Sequence, residues 1–399
     1  MPLDPVELLC QLVAIPSVNP MGRNLCGEQF LETRLTNFLE ELFGRLGLPC
    51  QRQTIELGRD NIIARLDGRR GAGSGGRQVL MFEAHQDTVP TDGMTIEPWT
   101  PTIRDGRLYG RGACDIKGGM AAMLVALSRL AEERPRDMPT VLMACTVNEE
   151  HGYSGANELK RLWEVGSDSI LPRKPDAAIV AEPTNLNVVV AHKGAVRWRC
   201  HTRGRAVHSS QPELGENAIY RMGRVLLALE AYQRDVAPSF AKHPLCGGVT
   251  LSVGTIGGGI SINTVPDECT IEIDRRLLPG EDSSAAFGHV VDFVAAYQGI
   301  DFNVIHDKPG MEGSTLSDAD NGRLAERLAG IVNGLTGRCR RIGVPFGTDA
   351  SKIAAAGVPS VVFGPGSIEQ AHTADEWLPL DELAAASEAL YHFARNGLD

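Results

Sequence analysis

A chain of 399 residues, 43% of them hydrophobic, can bury a full core and exceeds one typical domain, so two domains are expected. Its formal net charge of -11 argues against a general affinity for nucleic acid or anionic membrane, both of which reward a basic surface. Nine cysteines with an odd total and no CxxC pair speak against a disulfide framework and predict reduced thiols in a cytoplasmic protein.

The opening stretch MPLDPVELLCQLVAIPSVNP lacks a basic leader followed by an apolar core. It reads as a short amphipathic helix capped by Asp4 with Pro5 at its first position. Apolar residues then recur at helical spacing from Gly27 to Gly47, which predicts a second amphipathic helix. The runs NIIARL, QVLMFEAH, TVLMACTV and DAAIVAE follow as strands, separated by helical or loop stretches such as GGMAAMLVALSRLAEER. Continuous apolar strands alternating with helices imply a mostly parallel sheet covered on both faces, hence an α/β fold. RRGAGSGGRQ, from Arg69 to Gln78, reads as a hydrophilic surface link, because no GK[ST] ending or helix pattern follows it.

Between Lys193 and His306 the rhythm changes to a β-α-β-β-α-β-like layout, expected to form a small α+β domain of its own. The α/β rhythm then returns. The predicted outer domain is therefore discontinuous, residues 1–192 and 307–399, interrupted by an insert at 193–306. Gly257 to Gly259 lie outside any strand–GxGxxG–helix unit, so a dinucleotide cofactor loses support. The basic run at Arg338, Arg340 and Arg341 reads as a solvated helix-to-strand turn, and no segment carries the 18 apolar residues a membrane span needs.

Residues with chemistry gather after the predicted strands. His85 and Asp87 share one face of extended chain, and a metal-bound histidine usually gives its other ring N–H to a carboxylate. Asp115 sits in a glycine-bounded turn before a helix, where it could equally be a cap. Glu149 and Glu150 end the next strand, Glu182 the one after, and His372 follows the last. Ligands in open α/β sheets collect at strand carboxyl ends. Two imidazoles with three carboxylates form a ligand set for two divalent ions such as zinc, whereas a buried acid cluster without metal would be costly. Adjacent side chains on extended backbone point apart, so the two glutamates need not compete for one ion; spacing alone leaves open which binds. His151, His192 and His201 read as structural.

The segments HQDTVP, GRGACDIKGG, NEEHG, AEPT, RGRAVHSSQPELGENAI, DRRLLPGE, GTDA and GPGSIEQAHTADEW resemble, in order and spacing, the co-catalytic metallohydrolase family of acetylornithine deacetylase, succinyl-diaminopimelate desuccinylase, aminoacylase and glutamate carboxypeptidase. The acetylornithine deacetylase-like members are the nearest likeness. The resemblance covers nearly the whole chain. It implies a phosphorylase/hydrolase-like catalytic domain and an inserted ferredoxin-like lid that makes a homodimer. It also implies that His85 and Glu182 hold one ion, Glu150 and His372 the other, and Asp115 bridges both. Asp87 would orient His85, Glu149 would be the general base, and His208 in the lid would donate to the developing oxyanion. Asn263 and Arg276 would bind the substrate carboxylate, with Arg275 as the alternative to Arg276.

The expected activity is removal of an acetyl- or succinyl-type acyl group from an N-acyl amino acid, through a hydroxide bridging two metals, zinc or else cobalt or manganese. Competing readings are a dipeptidase or carboxypeptidase of the same family, a two-metal phosphoesterase, and a noncatalytic binding protein that kept the fold. Retention of Glu149 and all five ligands weighs against the last.

Overall fold

The computed structural model describes residues 3–68, 78–164, 169–171 and 173–398. Most of the Arg69–Gln78 link, residues 69–77, lies outside the described residues. Two compact units emerge, one comprising Met1–Val190, Asp318–Ile342 and Thr348–Asp399, the other Ala191–Ser317 with Gly343–Gly347.

The first unit is organised by a sheet whose strands run in the order Cys50–Glu56, Arg59–Leu66, Thr140–Thr146, Val79–His85, Ala177–Val180, Ser360–Val362, Val188–His192, Arg341–Val344. The four strands at its centre are mutually parallel, while Arg59–Leu66 and Val188–His192 join them antiparallel. Every residue of Val79–His85, Thr140–Thr146 and Ala177–Val180 is buried, whichever face its side chain takes, so both faces of the sheet are covered. Leu124 and Leu127 of helix Gly118–Glu133 share one core with Ala389 and Phe393 of helix Leu380–Asn396 and with Phe82 of the sheet. Asp4 caps the first helix through the N–H groups of Val6 and Glu7, with Pro5 at its start. Among the described residues no helix is long and apolar enough to cross a membrane.

Two elements depart from the sequence reading. The second helix begins at Thr33 rather than near Gly27. Residues 27–31 are taken by pairing with the N-terminal segment, Val18 N–H donating to Gln29 O (2.8 Å) and Leu31 N–H to Val18 O (3.0 Å), and Leu31 is held at φ 65°. The glutamate pair does not end a strand. The strand stops at Thr146, and Glu149 and Glu150 sit in a turn beyond it entered through Asn148 at φ 63°.

The second unit is an antiparallel sheet in the order Thr250–Gly258, Glu268–Leu277, Gly194–Arg203, Val304–His306, with Met311–Gly313 also paired to Gly194–Arg203. Alternate residues of Glu268–Leu277 are buried, and Ile271 and Ile273 share a core with Val225 and Leu229 of helix Ala218–Ala231 and Val290 of helix Ser283–Ala296. Asn217 and Asp282 cap those helices. The unit extends past His306 because Met311–Gly313 stays on the sheet and Leu316 pairs with His192.

Phe82 is fully buried at the centre of the parallel sheet. Phe82→Ala is expected to lower the unfolding free energy by about 3–5 kcal/mol in urea titrations, and a loss below about 1 kcal/mol would contradict this packing.

Candidate metal centre

The parallel strands end at one edge, with His85 opposite Thr146 in register. Two ligand groups form there, His85–Asp115–Glu182 and Asp115–Glu150–His372, each offering atoms within 4.8 Å of one another. Asp115 belongs to both. Its Oδ1 lies 3.3 Å from His85 Nε2 and its Oδ2 3.3 Å from His372 Nε2, while His372 Nε2 is 3.2 Å from Glu150. One carboxylate thus faces two imidazoles with separate oxygens. His85 Nε2, Asp115 Oδ1 and Glu150 Oε1 are buried without a hydrogen-bond partner among the described residues, a costly condition that a cation between them relieves. The donor set suits divalent ions.

The protonation balance reports the same crowding of charge. Burial pushes Glu150 up to about 7, with Asp115 adding to the shift, and burial likewise raises Glu182 and Glu149 well above the usual carboxylate range. Hydrogen bonding to Asp115 and Glu150 raises His372 to about 10. Burial alone would lower His85, yet Asp115 and Asp87 hold it well above normal. Glu149 belongs to neither ligand group.

Asp87 acts differently from the expectation that its carboxylate orients His85. It is the main-chain oxygen of Asp87 that lies 2.9 Å from His85 Nδ1, which leaves Nε2 facing Asp115, and the carboxylate stands off at 3.6 Å. Its two oxygens are engaged elsewhere: Oδ1 accepts the N–H of Glu149 and Oδ2 that of Glu150, each at 3.1 Å. The preceding two amides are captured as well, Val147 by Asn61 Oδ1 (3.0 Å) and Asn148 by Glu32 Oε1 (3.2 Å). Four successive N–H groups that left the sheet therefore end on buried side-chain oxygens.

A second clamp holds the Asp115 loop. The buried Glu376 carboxylate accepts the N–H groups of Gly112 (2.9 Å), Cys114 (2.8 Å) and Asp115 (2.9 Å), and pairs with Arg111 at 2.6 Å. Arg111 also donates to the carbonyls of Pro90 and Thr373, tying together the segments after His85 and His372. Beneath the site Thr146 bridges Glu83 and Asp349, and burial raises Glu83 well above normal and Asp349 to about 6. None of these supports was assigned from sequence. Asp349 and Glu376 stand within GTDA and AHTADEW, but a clamp acting on backbone amides has no side-chain pattern to display.

His208, Asn263 and Arg276 lie in the second unit. The His208 and Asn263 loops are laced together, Ser209 N–H donating to Asn263 O (3.0 Å) and Val265 N–H to Val207 O (2.9 Å). Arg275 is fully buried and pairs with Glu281 at 2.5 Å, whereas Arg276 is partly exposed beside Asp274 at 2.8 Å. Of the other histidines, His192 is buried against the Lys193 carbonyl and His201 lies between Thr270 and Asp307.

A family model described as peptidase family M20/M25/M40 matches residues 81–396. The chain is 33% identical over 337 residues to an acetylornithine deacetylase of Myxococcus xanthus, covering 81% of this chain and 82% of that one. It is 27% identical over 413 residues to a Staphylococcus aureus protein named "Probable succinyl-diaminopimelate desuccinylase", covering 95% and 93%. Its fold superposes on Bacillus subtilis YXEP, described as a dinuclear metal binding peptidase, with TM-score 0.69 and 16% identity over 98% of this chain and 96% of that one.

In the metal-free protein Glu32 is raised by burial to about 8, Glu150 to about 7 and Asp349 to about 6. Each binds its proton more tightly folded than unfolded. The stability they contribute is complete below their ordinary carboxylate values and is lost as pH rises through about 6–8. Melting temperature in EDTA should therefore fall between pH 5.5 and 8.5, roughly the span of those shifts, and excess zinc should flatten the part of the slope that comes from Glu150, a member of a ligand group, by replacing its proton with cation. A metal-free melting temperature that rises over this range would contradict the buried-acid assignment.

Proposed function

Since the chain belongs to peptidase family M20/M25/M40, we propose that it is a metal-dependent amidohydrolase that removes an acetyl- or succinyl-type acyl group from an N-acyl amino acid. The single observation that carries this reading is Asp115, whose two oxygens face two histidines in two ligand groups while Glu149, next to the ligand Glu150, is left outside both. His85 and Glu182 would hold one ion, Glu150 and His372 the other, with Asp115, a member of both groups, serving each. Zinc is the first choice, with cobalt or manganese compatible with the same donors.

Two divalent ions bound there would supply polarisation of the scissile carbonyl and acidification of a water beside it. Glu149 takes the proton of that water and returns it to the leaving nitrogen, a role open to a carboxylate that grips no metal. Asp87 holds the turn that presents Glu149. His208 donates a ring N–H to the carbonyl oxygen as charge develops, and Asn263 with Arg276 receives the carboxylate of the amino acid. Burial and pairing of Arg275 favour Arg276 for that contact.

The second unit serves as lid and homodimer interface. Support comes from strand Thr250–Gly258, which among the described residues pairs on one side only and exposes Ile256, and from Tyr220 and Leu227, exposed on helix Ala218–Ala231. Nine free thiols support a reducing, cytoplasmic setting.

Metal-stripped protein reloaded with zinc, cobalt or manganese should hydrolyse N-acetyl and N-succinyl amino acids faster than dipeptides; the reverse order would make it a peptidase, and full turnover without metal would overturn the proposal. Glu149→Gln should keep two ions per chain and lose at least about 10²–10⁴-fold in kcat, whereas Glu150→Ala should lose one ion. Near-normal turnover by Glu149→Gln would remove it as the base.

A further inference from the structure

The turn that carries Glu149 and Glu150 is braced from the N-terminal strap Ser17–Asn19. Ser17 Oγ donates to Gln86 O (2.7 Å), Thr88 N–H to Ser17 O (3.0 Å) and Asn19 N–H to Thr88 O (2.8 Å), so the strap runs beside residues 86–88 by backbone bonds alone or through Ser17. The Asn19 side chain is spare for another task. It is buried, and its Nδ2 donates one hydrogen to Asp87 Oδ2 (2.8 Å) and the other to Asn148 Oδ1 (2.9 Å), while its Oδ1 accepts Met21 N–H (2.9 Å). Asn148 is the left-handed residue through which the turn is entered, and its own Nδ2 donates to Ser154 Oγ (3.0 Å). Both ends of the glutamate turn are thus referred to one carboxamide. Asn19 touches the Asp87 carboxylate that holds the Glu149 and Glu150 amides, and it touches the residue before them.

We propose that Asn19 is a positioning residue for hydrolysis: by fixing the Asp87 carboxylate against Asn148 it sets where the Glu149 and Glu150 side chains stand. The proposal rests on the roles given above to those two glutamates. Without the carboxamide, Asp87 Oδ2 keeps only the Glu150 amide, Asn148 Oδ1 loses its donor, and the turn gains freedom to rotate about its left-handed residue. The strap's main-chain bonds persist, so the effect is local. Outer partners of metal ligands typically contribute about 10–100-fold in affinity or activity, and Asn19 bears on a ligand and the base together.

The test uses the full-length protein with Asn19→Ala and the isosteric Asn19→Asp, which keeps the acceptor for Met21 but turns the donor toward Asp87 into an oxygen. Zinc affinity of each ion by calorimetry, kcat and KM on the hydrolysed substrate, and metal-free melting temperature are read together. Expected are an about 10–100-fold weaker ion at the Glu150–His372 group, a kcat loss of the same order with KM within about threefold, and an unchanged ion at the His85–Glu182 group. Wild-type affinity and kcat in both Asn19 variants would overturn the proposal, as would equal weakening of both ions accompanied by a collapse of the melting temperature. Should Asn19→Ala fail to fold, Asn19→Asp decides by the same criteria. Wild-type protein that binds no pair of zinc ions would instead refute the metal assignment on which the proposal stands.

Discussion

The capture of main-chain amides by buried carboxylates is the constraint on which the metal centre depends. A parallel sheet delivers chain ends to one edge but cannot satisfy the N–H groups of the segments that leave it. Asp87 and Glu376 do so, each receiving two or three amides of a loop that carries a ligand. The same residues that remove the backbone penalty thereby decide where Glu149, Glu150 and Asp115 can point.

Charge imposes the matching requirement. Asp115, Glu150 and Glu182 converge with two imidazoles in a space that burial makes hostile to anions, and among the described residues the cationic compensation offered to them is those imidazoles, both held toward the protonated form. Arg111 is committed to Glu376, and Arg59 lies 3.0 Å from Glu32. Both ion pairs hold loops, so the ligands' charge is left to protons on the imidazoles and carboxylates or to a cation that takes their place. Lys117, whose ammonium donates to the Ile15 carbonyl at 2.6 Å, is pushed down to about 7 by burial.

Much of this was visible in the order of residues. Strands with continuous apolar runs announced the buried parallel sheet, and His85, Asp115, Glu182 and His372 could be placed after them because chemistry-bearing residues there had no packing reason to be present. What failed to show were contacts that depend on three-dimensional return. Helical periodicity runs from Gly27, yet residues 27–31 obey the pairing offered by Val18, which no local pattern encodes. The glutamate pair looked like a strand end because Val147 continues the apolar run, but Asn148 turns the chain. Asp87 was paired with His85 by spacing, and its main-chain oxygen does lie against Nδ1, but spacing could not show that its carboxylate also holds amides 62 and 63 residues further on. Arg275 and Arg276 alternate on one strand, and only the fold reveals which faces inward to Glu281.

Glu376 lies 261 residues beyond Asp115, whose amide it holds, with the whole second unit encoded between them. During synthesis Asp115, the residue shared by the two candidate ligand groups, therefore emerges long before its clamp. The sheet edge can form around His85, Asp115, Glu150 and Glu182 while the second unit is being made, yet the loop of Asp115 stays without its anchor and His372 is absent. A ribosome-bound chain would thus carry a half-built acidic cleft with at most one complete ligand group, and closure of the centre would come among the last events of folding, when the C-terminal segment docks.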